Sequence, residues 1–153
     1  MNEATSHAPN LTQRPPRSPR VRLGGYVMLA RILDKGPAEL AATEGEYKYN
    51  NPMDHHWFRF TGITADALKA ELATAKGDGE MLQWIEQNAP HKRAPWEIQH
   101  WSSWINERGP DGDVETLEFF AKRVGDINPT REDVRTWCDY LDLDDHVTFG
   151  GKA

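Results

Sequence analysis

The sequence contains very little cysteine and no long apolar run, and each absence argues against a class of protein. Cys138 is the only cysteine among the 153 residues, so no disulfide can form within the chain and no cysteine-based zinc site can be built. The absence of about 18 consecutive apolar residues argues against a membrane-spanning helix. The segment from Met1 to Pro19 is polar and proline-rich, without the apolar stretch of a signal peptide. We therefore expect a cytoplasmic protein that does not bind membranes.

Basic side chains are outnumbered by acidic ones and are unevenly placed. Lys and Arg total 18 against 24 Asp and Glu, which gives a formal net charge of -6. The first 35 residues nevertheless carry six basic side chains and two acidic ones, so the remainder is strongly acidic. A nucleic-acid-binding protein needs cations to contact phosphates, and we therefore predict no nucleic-acid partner. The acidic part reads mainly as a solvated surface.

Aromatic residues, by contrast, are plentiful. Six Trp and five Phe argue against a disordered protein, because disordered chains are poor in aromatics. The length suits one domain. We expect residues 1–19 to form a disordered or extended arm, with disorder up to about residue 13. Residues 20–145 are predicted to form a single all-α domain, followed by a flexible tail over 146–153.

Helical periodicity and helix-ending signals recur from Leu23 onward. They predict a compact bundle of about seven short helices, with at most one short extended segment near residues 46–49. The first long helix is predicted to begin at Leu23, and Gly36-Pro37 should kink or split it because Pro cannot donate the helical hydrogen bond. Further helix starts are predicted from capping residues and from proline at the first helical position: Asp54, Thr64, Asp78, Pro95, Asp113 and Thr130.

The last helix has the clearest amphipathic pattern. Val134, Trp137, Cys138 and Leu141 occupy positions i, i+3, i+4 and i+7, which places them on one helix face. Thr130 and Asp133 resemble a capping box at its start. Cys138 on this apolar face is predicted to be an inert, buried thiol.

Several short motifs together resemble a known bacterial family, domain of unknown function 5069. The N-terminal motifs are Ser18-Pro19-Arg20, Leu23-Gly24-Gly25-Tyr26, Arg31, Asp34-Lys35, Gly45-Glu46-Tyr47 and Pro52-Met53-Asp54. The C-terminal motifs are Thr130-Arg131-Glu132-Asp133-Val134, Trp137, Asp139 and Leu141-Asp142-Leu143-Asp144. The resemblance covers about residues 15–145. It implies no activity, cofactor or catalytic residue.

The glycine pair near residue 24 suggests an anion-binding site. Free N–H groups at a helix start attract anions, and Gly24 and Gly25 have no side chains to block a close approach. Arg20 and Arg22 can bind a phosphate or carboxylate bidentately. The alternative is a glycine-containing helix start with solvated arginines. The candidate ligand-binding residues are Arg20, Arg22, Gly24, Gly25, Tyr26, Arg31 and Lys35, the last two contributing only if a neighbouring segment folds over.

Two other groups of residues suggest an enzyme instead. Arg31, Asp34 and Lys35 lie within about one helical turn, where they either position a polar substrate or form a structural ion pair. Tyr47, Asp54 and His55, with Tyr49 and His56 nearby, contain the residue types of an oriented general base. The alternative interpretation is that Asp54 serves only as a helix cap. The histidines lack the spacing that fixes two metal ligands on one face, so we predict no metal and no cofactor.

The segment from Trp96 to Trp104 suggests an interaction surface. Trp96, His100 and Trp104 share one helix face, and Trp101 shares the adjacent face with Ile105. These side chains form either a partner surface or part of the core. An acidic cluster follows at Asp139, Asp142, Asp144 and Asp145. It lacks the calcium-loop pattern, and we interpret it as a solvated helix end.

The sequence thus leaves the function unknown and ranks three hypotheses. The first is a soluble domain that binds a small anionic ligand at the start of its first long helix. The second is a protein–protein interaction module that uses the Trp-bearing helix and the acidic surface. The third is a small-metabolite enzyme that uses the Arg31/Asp34/Lys35 or Tyr47/Asp54/His55 group.

Overall fold

The structure, a computed structural model, describes residues 7–153 and is all-α within that range. Seven helices follow one another in the part of the chain that the structure describes: α1 (Leu29–Leu40), α2 (Pro52–Thr61), α3 (Ala65–Leu72), α4 (Asp78–Asn88), α5 (Pro95–Glu107), α6 (Val114–Ile127) and α7 (Trp137–Thr148). The predicted fold class is confirmed. Residues 46–49 form turns and irregular structure, and no strand forms in residues 7–153. No helix in this range is both long and apolar enough to cross a membrane.

Most helix boundaries follow from local capping chemistry. The hydroxyl of Thr64 accepts from the amide of Ala67 at 3.1 Å, and Asp113 accepts from the amide of Thr116 at 2.8 Å. Pro95 is the first residue of α5, where its missing N–H costs no helical hydrogen bond. These predicted starts are confirmed. Asp54 is not the N-cap of α2; Asn51 is, and Asp54 completes the capping box three residues later.

The predicted start of the last helix is wrong by six residues. Helix α7 begins at Trp137, capped by Thr136 in a capping box with Asp139. Thr130 instead donates its hydroxyl to the side chain of Asn128 at 2.7 Å, which closes a turn. Both threonines precede an aspartate by three residues, so the local pattern fits either start. Val134 is buried ahead of the helix.

Helix α1 occupies the centre of the molecule. Most of its residues are buried, and Leu29 and Ile32 belong to the main apolar cluster. The helix begins at Leu29 rather than Leu23, and it runs through Gly36-Pro37 without splitting. Pro37 still cannot donate to the carbonyl of Leu33, but the helix continues for three residues beyond it. A Cβ on Gly36 would lie 2.5 Å from Leu72 Cδ1, so glycine lets α3 approach closely.

The buried apolar side chains form two clusters. The larger one extends from Tyr26 to Ile105 and takes residues from the first five helices or the turns around them. The smaller one contains Phe120, Val124, Val134 and Leu143, with Trp137 packed against it. It joins α6 to α7. Cys138 lies buried between the two groups of helices, and burial raises the pKa of its thiol to about 11.

The N-terminal arm packs against the helical body from its described part onward. Leu11 is 2% exposed, and its amide donates to the carbonyl of Thr43 at 2.8 Å. The hydroxyl of Thr43 donates to the carbonyl of Pro9 at 2.9 Å. Residues 1–6 lie outside the described residues. For residues 7–13, the expectation of disorder is wrong. The buried side chain of Leu11 anchors this segment, although the segment has no hydrophobic periodicity of its own.

Replacing Leu11 with Ala is expected to lower the free energy of unfolding by about 2–5 kcal/mol, the range for a fully buried leucine. Chemical denaturation followed by circular dichroism measures the loss. Val21→Ala is the matched control, since Val21 is exposed and its truncation should change stability by about 0.5 kcal/mol or less. A Leu11→Ala midpoint equal to that of the control would show that the arm does not hold the fold.

The predicted C-terminal tail begins later than expected. Helix α7 continues to Thr148, and Asp145 near its end is buried. The amide of Gly151 then donates to the carbonyl of His146 at 2.8 Å. Gly151 lies so close to the His146 imidazole that a Cβ would be 2.2 Å from its Nε2 atom. The boundary of packed structure therefore lies beyond residue 146.

Candidate functional site

The Gly24-Gly25 pair forms a tight turn ahead of α1. Leu23 and Tyr26 exchange backbone hydrogen bonds of 2.9 and 3.0 Å across it. Gly24 and Gly25 have φ values of +60° and +83°, which suit a type I′ turn and which a helix does not permit. A Cβ on Gly24 would lie 2.5 Å from Leu82 Cδ2. The expectation that this pair opens the first helix is wrong, because the helix begins at Leu29.

Arg20 is held by side chains from the last third of the chain. Its guanidinium donates to Asp142 at 3.2 Å, to Asn106 at 2.7 Å and to Asp139. Ser18 also donates to Asp142, at 2.7 Å. The side chain predicted to bind an anion is therefore already paired with two carboxylates of α7. These contacts attach the arm to α7.

Arg31 is buried in a second pairing with α7. Two of its nitrogens donate to the carboxylate of Asp145 at 2.7 and 3.1 Å, a bidentate geometry. It also donates to the carbonyl of Arg17 at 3.2 Å. Tyr47 donates its phenol hydrogen to Asp145 at 2.8 Å. Burial and this hydrogen bond raise the pKa of Tyr47, so the phenol is held as a donor.

Lys35 forms a third and still deeper pairing with Asp54. Its ammonium donates to Asp54 Oδ2 at 2.7 Å, and both side chains are almost completely buried. Burial lowers the pKa of Lys35, although the neighbouring carboxylate opposes this. Asp54 Oδ2 also accepts from the amide of Asn51 at 3.2 Å. No residue in 7–153 donates to Asp54 Oδ1.

The remaining predicted residues are not brought together with these pairs. Asp34 of α1 accepts from Arg17, which also donates to Asp78 of α4. Arg22 is exposed. Tyr26 is buried among aromatic rings, edge-on to Trp57 at 5.9 Å. His55 is exposed, and its ring nitrogen lies 3.1 Å from the carbonyl of Asn50.

The residues of the predicted anion site thus do not lie together. Some form a turn, some are in ion pairs, and one is in the core. Arg20, Arg31 and Lys35 each have an acidic partner from another element. The Tyr47/Asp54/His55 group likewise separates, since Tyr47 contacts Asp145 whereas Asp54 contacts Lys35. Anion binding itself stays a prediction, but its expected geometry is not the one observed.

Sequence reasoning missed the acidic partners. The sequence pattern predicts a solvated helix end at Asp139, Asp142 and Asp145, yet each of these residues pairs with an arginine of the N-terminal part. Their spacing of three residues places them along one side of α7. That spacing, together with the basic N-terminal and acidic C-terminal composition, is the signal from which the pairing could have been expected.

A cleft of about 520 Å³ lies between the arm and the end of α7. Its acidic lining residues are Asp142 and Asp145, beside His146 and Phe149. Both carboxylates are already paired with arginines, so the cleft offers little uncompensated charge. Within residues 7–153, no three His, Cys, Asp or Glu side chains are grouped so as to hold a metal ion.

Helix α5 carries an exposed aromatic surface. Trp96 is 62% exposed and Trp104 is 51% exposed on α5, and His100 between them is also exposed. The ring of His100 lies 5.7 Å edge-on from Trp96, and His56 of α2 lies 5.3 Å edge-on from Trp104. We call Trp96, His100, Trp104 and His56 the Trp face. The shared helix face was predicted; the contribution of His56 was not.

Three contacts between α2 and the α5 region hold the Trp face in place. Phe60 stacks on Trp101 at 5.0 Å, nearly parallel, and Arg108 donates to the sulfur of Met53 at 3.7 Å. His56 and Trp104 meet between these two contacts. Because Trp101 is partly buried on the main cluster, the two helices hold the exposed rings in a defined place.

Charged side chains of both signs lie around this face. Burial lowers the pKa of His56, and repulsion from Arg108, Arg59 and His55 lowers it further, with Asp111 opposing. Arg59 is exposed. Arg93 lies over the ring of Phe60 at 4.5 Å, a cation–π contact. The Trp face therefore combines two large apolar rings with a rim of both signs. Arg108 pairs with Asp111 at 3.7 Å and Arg93 pairs with Glu97 at 3.6 Å, whereas Arg59 has no carboxylate partner within residues 7–153.

Sequence comparison places the chain in a family without assigning it a reaction. No curated protein matches the chain. Residues 13–147 match the family described as domain of unknown function (DUF5069). The matched range includes the turn at Gly24-Gly25, the three ion pairs and the Trp face. The match covers most of the chain, and the protein therefore belongs to the DUF5069 family.

Proposed function

We propose that this protein is a helical docking module that binds an acidic segment of a partner protein through the Trp face. The observation that carries the proposal is the exposure of Trp96 and Trp104, 62% and 51%, on one face of α5. Exposed tryptophan leaves a large apolar area in water, and Trp and Arg dominate the binding energy of protein interfaces. The proposal includes a cytoplasmic location and no binding to membranes.

The charge around the Trp face selects the kind of partner. Arg59 lies close enough to His56 to lower its pKa and has no carboxylate partner within residues 7–153, whereas Arg108 already pairs with Asp111 at 3.7 Å. Complementary charge on a partner speeds encounter and fixes orientation. A segment that carries Asp or Glu beside apolar anchor residues would pair with the rim while its anchors cover the two indoles.

Two alternatives have less support. A small anion would need free cations, and Arg20, Arg31 and Lys35 are paired with carboxylates. Aromatic rings beside arginines also suit single-stranded nucleic acid, but the formal net charge of -6 opposes contact with a phosphate backbone. A protein partner with a short acidic segment avoids most of that repulsion.

Selection from a random peptide library on the immobilised protein tests the proposal. We expect the enriched peptides to be rich in Asp and Glu and to carry apolar anchors. Binding of a selected peptide should weaken by about 100-fold or more in the Trp96→Ala/Trp104→Ala variant, since each hot-spot residue contributes roughly 2 kcal/mol or more. Fluorescence anisotropy of the labelled peptide measures this loss.

The matched control is the Val21→Ala/Leu40→Ala variant, which truncates two exposed apolar side chains outside the Trp face. It should bind the peptide within about twofold of the wild type. Enrichment without acidic residues, or equal binding by the Trp96→Ala/Trp104→Ala variant, would refute the proposal. Tighter binding of a labelled single-stranded oligonucleotide at the same face would replace it with nucleic-acid binding.

A further inference from the structure

Helix α6 carries an apolar stripe that the described chain leaves uncovered. Val114 is 69% exposed and Leu117 is 45% exposed, and Ala121 is exposed. At Gly125, no atom of the described chain lies within 4 Å of the place a Cβ would occupy. The spacing of three, four and four residues puts these positions on one helix face. We call Val114, Leu117, Ala121 and Gly125 the α6 stripe.

The sequence pattern of α6 predicts a wider buried face than the monomer provides. Phe120 and Val124 are buried against α7, as their periodicity predicts. The same helical periodicity places Val114, Leu117 and Ala121 on that face, yet these three side chains are exposed to water. An amphipathic helix normally buries its whole apolar face, so the exposed part of this face has no partner within residues 7–153.

We propose that a second copy of this chain covers the α6 stripe, with the two α6 helices packed antiparallel about a two-fold axis. Reversal of the helix places Val114 opposite Gly125 of the second copy and Leu117 opposite Ala121. A large side chain then faces a small one at each level, so that ridges fit into grooves at close approach. The same patch on both copies forms the contact, as a two-fold interface requires.

The charges beside the stripe fit the same arrangement. Glu118 and Lys122 are one turn apart and flank the stripe on its side away from α7. In an antiparallel pair, Glu118 of each copy faces Lys122 of the other, which gives two attractive contacts. In the monomer Lys122 bonds to Asp126 at 2.8 Å, but both are well exposed, and such pairs contribute little. Lys122 is therefore available to a second copy.

The mass of the wild-type protein in solution is the first test. Light scattering during size-exclusion chromatography should give twice the monomer mass of 17.4 kDa at high protein concentration. Glu118→Lys and Lys122→Glu should each shift the mass towards the monomer, because each variant sets like charges opposite each other twice. Both residues are exposed, so the fold should be retained, and circular dichroism checks this.

Mixing the two charge variants is the decisive measurement. A heterodimer of one Glu118→Lys chain and one Lys122→Glu chain has both attractive contacts again. The mixture of the two variant proteins should therefore recover the dimer mass. Gly125→Leu should also abolish the dimer, since the added side chain meets open space in the monomer but Val114 in the dimer. The Trp96→Ala/Trp104→Ala variant should remain dimeric, which separates this inference from the proposed docking function.

Three results would overturn the inference. A monomer at every concentration would show that no second copy covers the α6 stripe. Persistence of the dimer in each charge variant alone would place the interface elsewhere. Failure of the mixed variants to recover the dimer would exclude the antiparallel arrangement.

Discussion

Replacing Lys35 with Met is expected to lower the free energy of unfolding by about 3–5 kcal/mol, the range for removing one partner of a buried ion pair. The ammonium of Lys35 and the carboxylate of Asp54 are 2.7 Å apart and almost completely excluded from water. Met has a similar volume, so the change removes the charge and leaves little cavity. The loss arises because the carboxylate is left buried without its cation. Equilibrium denaturation in urea measures it.

The double variant Lys35→Met/Asp54→Asn separates the ion pair from packing. We expect it to lose less stability than the sum of the two single variants, because both charges are then gone. The amide oxygen of Asn can still accept from the backbone of Asn51, as Asp54 does at 3.2 Å. Additive losses, or a Lys35→Met variant as stable as the wild type, would show that the pair is not coupled.

Truncation of Trp57 to Ala is expected to cost about 3–5 kcal/mol, as for other fully buried tryptophans. Trp57 is completely buried, and Tyr26 and Phe58 meet its ring edge-on at 5.9 and 5.4 Å. Its indole nitrogen has no hydrogen-bond partner in residues 7–153. Trp57→Phe should therefore cost less than Trp57→Ala, because it keeps most of the ring and removes the unpaired N–H.

Trp96→Ala is the matched control for this second prediction. Trp96 is more exposed than Trp104, and truncation of Trp96 should change stability by about 0.5 kcal/mol or less. Thermal and urea denaturation of the three variants provide the comparison. Equal losses for Trp57→Ala and Trp96→Ala would contradict the division of tryptophans into core and surface.

The fold class was predictable because it depends on short-range chemistry. Thr64, Asp113 and Pro95 mark helix starts within three or four residues, and Gly62 ends α2 with a φ of +77° that glycine adopts without strain. No distant residue is needed to recognise these signals. The sequence therefore suffices for the number of helices and for most of their boundaries.

The errors occur where a distant contact decides between two local possibilities. Gly24-Gly25 fits either a helix start or a turn, and close packing of Leu82 accompanies the turn. Thr130 and Thr136 are both capping residues, and Trp137 donates its amide to the carbonyl of Arg108 at 3.0 Å, beside the true start. Leu11 is a lone apolar residue whose pocket is formed only by the folded chain.

The candidate sites show the same division. The shared face of Trp96, His100 and Trp104 follows from helical spacing, and the structure retains it. The pairing of Arg20 and Arg31 with α7 does not follow from spacing, because the partners lie more than a hundred residues apart along the chain. Periodicity assigns residues to faces, whereas the covering of each face depends on tertiary packing.

The attachment of the arm to α7 has a consequence for synthesis on the ribosome. Arg20 is separated from Asp139 by 119 residues, and Arg31 is separated from Asp145 by 114. Because the chain emerges from its N-terminus at roughly 5–20 residues per second, both guanidinium groups wait several seconds for their carboxylates. Until then Arg31 has no counter-ion that would permit its burial. A nascent chain that stalls before Trp137 therefore keeps Arg31 hydrated, and this side chain is buried only after the last helix has been made.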